Sequence, residues 1–282
     1  EEALAAYEEG LRRAGEILGA EHPGVVPLLN NRASLLADRG EFDAALVEYR
    51  RGLAIRAAVY GTSHPRYAFS LAQIGDALTR QGKYVEAATY LEQALEIRTR
   101  ALGADHPEVG DTLIGIGKIE FRRGRTEAAL RATQRALVVL ARALGAENVR
   151  VASVKQNLAV MYRKQGHLAQ ALAVNNELRA QLEKTLPPGH ARLLAVRGNQ
   201  ASVLRDLGRH AEAIAELKEL LALEEAAAAT PGELAHTLLN LGLAQLASGA
   251  ADEAVVSLER GLTLAASGED REFARAQLEL AL

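Results

Sequence analysis

Histidine is the residue type here whose placement most resembles a chemical site, because it ligates metals and exchanges protons near neutral pH. One histidine recurs in each of several successive segments, at His22, His64, His106 and His190. A metal ion holds its ligands within about 2–2.5 Å, so histidines spread over successive layers of an array cannot converge on one ion. We therefore predict that these histidines shape loops and that the chain has no metal site.

Signatures of catalysis are absent from the sequence. It contains no Gly-rich phosphate loop after a strand, no nucleophile elbow and no His-Glu-x-x-His motif. The lack of any cysteine excludes a thiol nucleophile, a thiolate metal site and a disulfide framework. Adjacent carboxylates such as Glu8-Glu9 and Glu224-Glu225 would face different directions on a helix, which indicates solvated side chains. We predict no catalytic residue, no cofactor and no enzymatic activity.

Amide side chains form a ladder that suits binding. They recur at intervals of 42 residues, or a multiple of it, with one interval of 41, at Asn31, Gln73, Asn157, Asn199 and Asn240. An amide both donates and accepts hydrogen bonds, so a row of them could pair with the backbone of an extended peptide. The alternative is that these amides bridge adjacent helices or cap local carbonyl groups.

Basic side chains form a second ladder. It consists of Arg80, Arg122 and Lys164 at intervals of 42 residues, joined by Lys118. Asp38 and Asp206 bracket this ladder, and Asp76 belongs to the same predicted surface. Cations in neighbouring layers could form a track for acidic side chains, and acidic edges would add selectivity. The alternative is that these cations only complement the dipole at the end of a helix, wherever their side chains point.

The elements that position these ladders follow from a repeat of 42 residues. Glycines mark it at Gly40, Gly82, Gly124, Gly166 and Gly208, with Gly249 after an interval of 41. An alanine follows five residues after each glycine, at Ala45, Ala87, Ala129, Ala171, Ala213 and Ala254. A side chain this small predicts a close crossing of two helices.

A second mark of the repeat is the pattern Gly-x-x-His-Pro, found at residues 19–23, 61–65 and 103–107. Glycine can cap the end of a helix in a left-handed conformation, and proline suits the first turn of the next. The pattern therefore closes one helix and opens another. It decays to Gly-Ala-Glu-Asn-Val at 145–149 and to Pro-Pro-Gly-His at 187–190.

Apolar residues between these marks recur at steps of three and four, which predicts paired helices. The first helices are predicted near 24–39, 66–81, 108–123, 150–165, 191–207 and 233–248. The second helices are predicted near 43–59, 85–101, 127–143, 169–185, 211–228 and 252–266.

The order of small, aromatic, glycine and alanine positions resembles the tetratricopeptide repeat. The residues that carry the resemblance are Gly75, Leu78, Gly82, Tyr84, Ala87 and Ala94, and later Ala159, Tyr162, Gly166 and Ala171. That family usually repeats at about 34 residues. The longer period with its His-Pro connection is similar to the variant in kinesin light chains and many bacterial signalling proteins. HEAT and armadillo arrays have similar periods but do not account for the turn pattern.

The resemblance implies an all-α, right-handed superhelical solenoid of antiparallel helix pairs. The expected domain is one array over 1–282, with repeats at 19–60, 61–102, 103–144, 145–186, 187–229 and 230–267. Residues 1–18 would be the second helix of a truncated repeat, and residues 268–282 a capping or partial-repeat helix. We therefore expect the array to be part of a larger polypeptide.

In such a solenoid the first helices line a concave surface. Positions nine, six and two before each turn glycine form one stripe there. We predict these groove residues: Asn31, Gln73, Asp76, Arg80, Lys118, Arg122, Asn157, Lys164, Asn199 and Asn240. For the asparagines, the resemblance also implies contact with a peptide backbone.

Charge narrows the class of partner. The net charge is −3 and the pI about 6.2, which gives no overall case for nucleic acid or for a membrane surface. We predict a cytoplasmic scaffold that binds a peptide or partner domain, with acidic ligands favoured. The alternative is a structural or regulatory array that self-associates or controls a catalytic domain of the same parent chain.

Overall fold

The computed structural model describes residues 2–265 together with Arg275 and Leu278. Over the described part of the chain it contains thirteen α-helices and no strand, which confirms the all-α prediction. Apart from Arg275 and Leu278, the predicted terminal helix at 268–282 lies outside the described residues. None of the described helices has the length and apolar character needed to span a bilayer.

The helices agree with the predicted ones to within two residues at each end. Helix α1 spans Glu2–Leu18 and precedes the pairs. The first helices of the pairs are α2 Val26–Asp38, α4 Pro65–Arg80, α6 Pro107–Arg122, α8 Val149–Lys164, α10 Ala191–Asp206 and α12 Pro231–Ser248. The second helices are α3 Phe42–Tyr60, α5 Tyr84–Leu102, α7 Thr126–Leu144, α9 Leu168–Glu183, α11 His210–Ala226 and α13 Ala251–Leu264.

The chain divides into two compact units, Glu1–Val154 and Lys155–Leu282. Within each unit a helix packs mainly against its neighbours in sequence. First helices also touch each other, α4 with α6 in the first unit and α10 with α12 in the second. The first helices of a unit therefore lie side by side and form one face.

Each helix pair crosses at small residues, as the sequence predicts. Ala87 on α5 is fully buried, and a Cβ added to Gly75 on α4 would lie 3.4 Å from the Ala87 carbonyl oxygen. The same Cβ would lie 2.9 Å from Cγ of Leu91. Gly117 packs in the same way against the Ala129 carbonyl oxygen. These crossings leave no room for a larger side chain, so the helices approach until backbone meets side chain.

The turn within each pair is closed by a left-handed glycine. Gly82 has φ +85°, and its N–H donates to the Thr79 carbonyl at 3.1 Å. The N–H of Lys83 then donates to the Leu78 carbonyl at 2.9 Å. These bonds satisfy the last carbonyls of α4, as expected for a glycine-capped helix end.

The recurring histidines cap the helical turns that follow them. His64, His106 and His190 precede α4, α6 and α10, whereas His22 precedes a 3₁₀ turn at Pro23–Val25 that leads into α2. Nδ1 of His106 accepts a hydrogen bond from the N–H of Glu108 at 3.2 Å, and His22, His64 and His190 make the equivalent bond. This confirms the predicted loop role. In the decayed copy, Oδ1 of Asn148 accepts from the N–H of Arg150 at 2.9 Å, so a different side chain makes the same bond. The described residues bring together no cluster of His, Cys, Asp or Glu that could hold a metal ion.

This cap gives a first testable prediction. His106→Ala removes the acceptor and should lower the free energy of unfolding by about 1 kcal/mol. His106→Asn should lower the free energy of unfolding much less than His106→Ala does, because Asn148 makes the same bond one repeat later. Urea unfolding followed by circular dichroism would test this, and equal losses in the two variants would contradict it.

One core position carries a polar side chain without a partner. Asn175 on α9 is fully buried, and within the described residues neither its Oδ1 nor its Nδ2 has a hydrogen-bond partner. Leu91 and Leu217 occupy the corresponding positions of other second helices. Leu217 is buried in a cluster with Ala201, so a leucine packs in this place when the facing residue is alanine. The first helix before Asn175 likewise presents Ala159.

We therefore expect Asn175→Leu to stabilise the second unit. A buried amide without a partner costs about 1–3 kcal/mol, and the substitution should recover a comparable amount. Hydrogen exchange at the amides of α9 and α10 would measure the gain. Gln170→Leu, at an exposed position of the same helix, is the control and should change protection little. Unchanged or weaker protection in the Asn175 variant would show that the amide is satisfied.

Candidate peptide-binding faces

In the first unit, the predicted groove residues lie on the face formed by α2, α4 and α6. Asn31, Asp76, Lys118 and Arg122 are exposed, and Gln73 is half-buried. The amide groups of Asn31 and Gln73 make no hydrogen bond to any other described residue. They therefore keep both their donors and their acceptor for a ligand.

Arg80 is engaged within the protein. Its Nη2 donates to the Ala37 carbonyl at 2.8 Å and lies 2.9 Å from Oδ1 of Asp38. The guanidinium also lies over the ring of Phe42, 5.7 Å from its centroid. Arg80 thus binds the C-terminal end of α2, where a cation complements the helix dipole. Asp38, predicted to bracket the basic track, is the ion-pair partner of its first member.

The other two predicted basic residues of the first unit, Lys118 and Arg122, differ from Arg80 in having no partner of this kind among the described residues. Lys118 and Arg122 are exposed, one turn apart on α6, and form no ion pair with any residue that the structure describes. Lys118 also borders a cavity of about 150 Å³, together with Asp76 and Asp111. Of the predicted basic residues in this unit, Lys118 and Arg122 are therefore the two that no ion pair with a described residue engages.

In the second unit, the predicted residues occupy three first helices. Asn157 and Lys164 are exposed on α8, while Asn199 on α10 and Asn240 on α12 are half-buried. Asn240 is engaged, because its Nδ2 donates to the His236 carbonyl at 2.9 Å and its Oδ1 accepts from Arg205 at 3.0 Å. This is the local role that the sequence left open as an alternative for the amides.

Asn199 and Asn240 line a cavity of about 770 Å³ in the second unit. One wall comes from α10, through Leu194, Gly198 and Ser202 among others. The lining also includes residues of α8 and α11, the alanine-rich connection 227–230 and residues of α12. Here Ala228 has φ +53°, whereas glycines, at Gly19, Gly61, Gly103 and Gly145, take the left-handed conformation in the first four connections between pairs. Within the described part of the chain, Asn199 has no hydrogen-bond partner, so its amide is available inside the cavity.

Glu224 also lines this cavity, and the sequence interpretation of it was wrong. Glu225 is exposed as expected, but Glu224 is only 7% exposed. Its Oε2 has no hydrogen-bond partner within the described residues. Burial raises the pKa of Glu224, and the Glu233 carboxylate raises it further, while a hydrogen bond from the Thr237 hydroxyl opposes the shift.

The repeat register could have shown this. Positions equivalent to Glu224 on earlier second helices carry Arg56, Arg98, Leu140 and Leu182. Arg56 donates to the Ser70 hydroxyl and Arg98 to the Thr112 hydroxyl, and Thr237 stands at that hydroxyl position opposite Glu224. Where the second helix has leucine, the residue at the register of that hydroxyl is Val154 or Val196, and both are buried. A polar pair or an apolar pair thus fills this position in each repeat.

Comparison with known proteins places this fold in a family. Two family models match the sequence, and each is described as a tetratricopeptide repeat. One matches three overlapping stretches, residues 24–100, 67–140 and 108–184, and the other matches 194–226. No curated protein matches the sequence.

Solved structures resemble the chain at low sequence identity. Nearly identical TPR-like repeats of a Podosopora anserina protein described as a kinesin light chain give a TM-score of 0.66 at 22% identity, covering 73% of this chain and 97% of that one. BtubC (BKLC) from P. vanneervenii gives 0.65 at 20% identity, covering 81% and 90%. YrrB, a TPR protein described as having an unusual peptide-binding site, gives 0.50 at 15% identity, covering 74% and 92%. At these identities the likeness concerns the fold.

The buried carboxyl predicts a pH dependence of stability. Because the folded-state pKa of Glu224 is raised, its contribution to stability is greatest at acid pH and is lost as the pH rises through that pKa. Glu224→Gln should therefore raise the free energy of unfolding at pH 7, by about 1 kcal/mol. The gain should shrink towards pH 4.

Urea unfolding at pH 4, 5.5 and 7 would measure the dependence. Glu225→Gln, at the exposed neighbour on the same helix, is the matched control and should show no comparable gain. A constant difference between Glu224→Gln and the unmodified chain across this range would contradict a raised pKa.

Proposed function

This chain belongs to the tetratricopeptide repeat family, and from that premise we propose that it binds an extended, acidic segment of a partner protein. A protein-interaction scaffold is the function that the family supports in general. The peptide form of the ligand and its charge are the specific part of the proposal. The peptide-binding site named for the structurally similar YrrB supports the first of these.

One observation carries the proposal: the first-unit face presents hydrogen-bonding and cationic groups that the protein itself does not use. Asn31 and Gln73 have no hydrogen bond to another described residue, and Lys118 and Arg122 have no ion pair there. By contrast, Arg80 on the same face is engaged by Asp38 and the Ala37 carbonyl. The groups left available are those that a peptide backbone and acidic side chains would need.

The roles of these groups differ. The amides would hold the ligand backbone, which is the same for every sequence, and would therefore contribute affinity without selectivity. Lys118 and Arg122 would select carboxylates and make binding sensitive to salt, because exposed charges are screened over about 8–10 Å at physiological ionic strength. Asp76, one turn from Arg80 on α4, would disfavour acidic side chains near it and so fix the ligand's register.

We also propose that the chain has no catalytic activity of its own and acts in the cytoplasm. The lack of cysteine supports the second point, since disulfides are typical of oxidising compartments. The first is supported by a family fold that repeats one helical hairpin and by functional groups spread along a face. Such an arrangement suits contact with a long ligand better than chemistry at one bond.

A random-peptide selection would test the proposal. We expect the whole chain to enrich acid-rich peptides, and we expect Lys118→Glu combined with Arg122→Glu to weaken their binding at least tenfold. The reason is that like charges then face each other across the interface. Fluorescence anisotropy of the selected peptides at two salt concentrations would measure both effects.

The matched control is a double charge reversal on second helices. Arg50→Glu with Arg135→Glu changes the net charge equally, at exposed positions of α3 and α7 that form no ion pair with any described residue. It should leave binding within about twofold. If the two double variants bind alike, or no peptide is enriched, the proposed face is not the binding site.

A further inference from the structure

We propose that the cavity of the second unit takes the cationic side chain of a lysine or arginine from a partner segment, seated against Glu224. This inference rests on the proposed function, because it assumes that the ligand is an extended segment of a partner protein. It adds one basic residue to that otherwise acidic ligand. It concerns a different unit of the chain and a different side chain from Lys118 and Arg122. The two proposals can therefore fail separately.

Glu224 is the exception among the buried glutamates. Of the described residues, Glu48, Glu120 and Glu224 are glutamates buried to nine-tenths or more. Glu48 pairs with Arg32, and Glu120 lies 2.7 Å from Arg123. Glu224 has no ion pair within the described chain, and its Oε2 lacks any hydrogen bond there. A buried carboxylate without a cation destabilises the folded state, and Glu224, which lines the cavity, lacks such a partner among the described residues.

The register position explains why the partner is missing. Arg98, the equivalent residue on α5, donates both to the Thr112 hydroxyl at 2.7 Å and to the Glu108 carbonyl at 3.3 Å. A carboxylate at this position can accept from the facing hydroxyl of Thr237, but it cannot donate to a backbone carbonyl. Its second oxygen therefore has nothing to bind on the protein side.

The charges around the cavity favour a cation. Its lining contains two carboxylates, Glu224 and Glu233, one arginine, Arg163, and one histidine, His236. Arg163 is already neutralised, because its Nε lies 2.6 Å from Oδ2 of Asp206. An acidic ligand would meet two like charges, whereas an ammonium or guanidinium group would meet a carboxylate that has no other cation.

The shape of the cavity also suits a long basic side chain. Leu194 and Leu220 provide apolar surface for the methylene groups of lysine or arginine, and the volume of about 770 Å³ exceeds one side chain. Gly198 and Ala195 keep the α10 wall shallow, so a peptide backbone can lie close to it. The amide of Asn199 is then available for that backbone. The cavity thus combines an anionic group, an apolar surface for the methylene groups and an amide that can bind the ligand backbone.

Defined peptides would test the anchor. We would measure fluorescence anisotropy of labelled nine-residue alanine–serine peptides with lysine, arginine or uncharged norleucine at the centre, titrated with the whole chain. The lysine and arginine peptides should bind at least tenfold more tightly than the norleucine peptide. Glu224→Gln should abolish this preference without weakening the norleucine peptide. Glu225→Gln should retain it, because Glu225 is exposed and lies outside the lining of the cavity.

Proton release gives a second reading. A cation next to Glu224 lowers its raised pKa, so at acidic pH, where this carboxyl still carries protons, binding the lysine peptide should release more protons from the unmodified chain than from Glu224→Gln. Calorimetry in two buffers of different ionisation enthalpy would detect this.

The outcomes separate the two proposals. Equal binding of lysine and norleucine peptides, or no binding of the lysine peptide up to millimolar concentration, overturns the anchor. If acid-rich peptides from the selection still bind through Lys118 and Arg122, the proposed function stands without it. If lysine peptides bind through Glu224 while no acidic peptide is enriched, the anchor stands and the acidic preference is wrong.

Discussion

The crossing of first and second helices at small residues is the constraint on which the rest of the structure depends. At Gly75 and Gly117 even a methyl group would press against a leucine or threonine side chain of the second helix. The facing alanines, Ala87 and Ala129, are fully buried. Close approach holds each pair at a fixed spacing, and a fixed spacing allows first helices such as α4 and α6 to touch. The face that presents Gln73 and Lys118 exists because the helices behind it cannot move apart.

The caps between helices show how much variation this constraint permits. His106, Asn148 and Thr230 differ in size and in functional group, yet each accepts a hydrogen bond from the first turn of the helix that follows. The cap requires only an acceptor at the right place, whereas the crossing requires a particular volume. Loop residues can therefore change between repeats while the crossing residues stay small.

This difference explains what the sequence could and could not predict. The helices, turns and capping histidines follow from local rules and a period, so their positions were predictable to within two residues. The ion pair between Arg80 and Asp38 joins successive layers, and the sequence placed both residues on the stripe without showing that they meet. Glu224 was missed because an adjacent pair of carboxylates resembles a solvated surface. Its environment depends on α12 as well as on its own helix.

The Glu224 position also shows where this array can change its chemistry without changing its fold. Arginine facing a hydroxyl, leucine with valine at the register of that hydroxyl, and glutamate facing a hydroxyl all occur at one place in the repeat. Each combination satisfies the packing of the helices, but they differ in charge and in what they leave unpaired. Because the backbone geometry is set by the small crossing residues, the charge at this position can invert from Arg98 in the first unit to Glu224 in the second. A repeat scaffold can thus carry faces of opposite electrostatic preference on the same framework of helices.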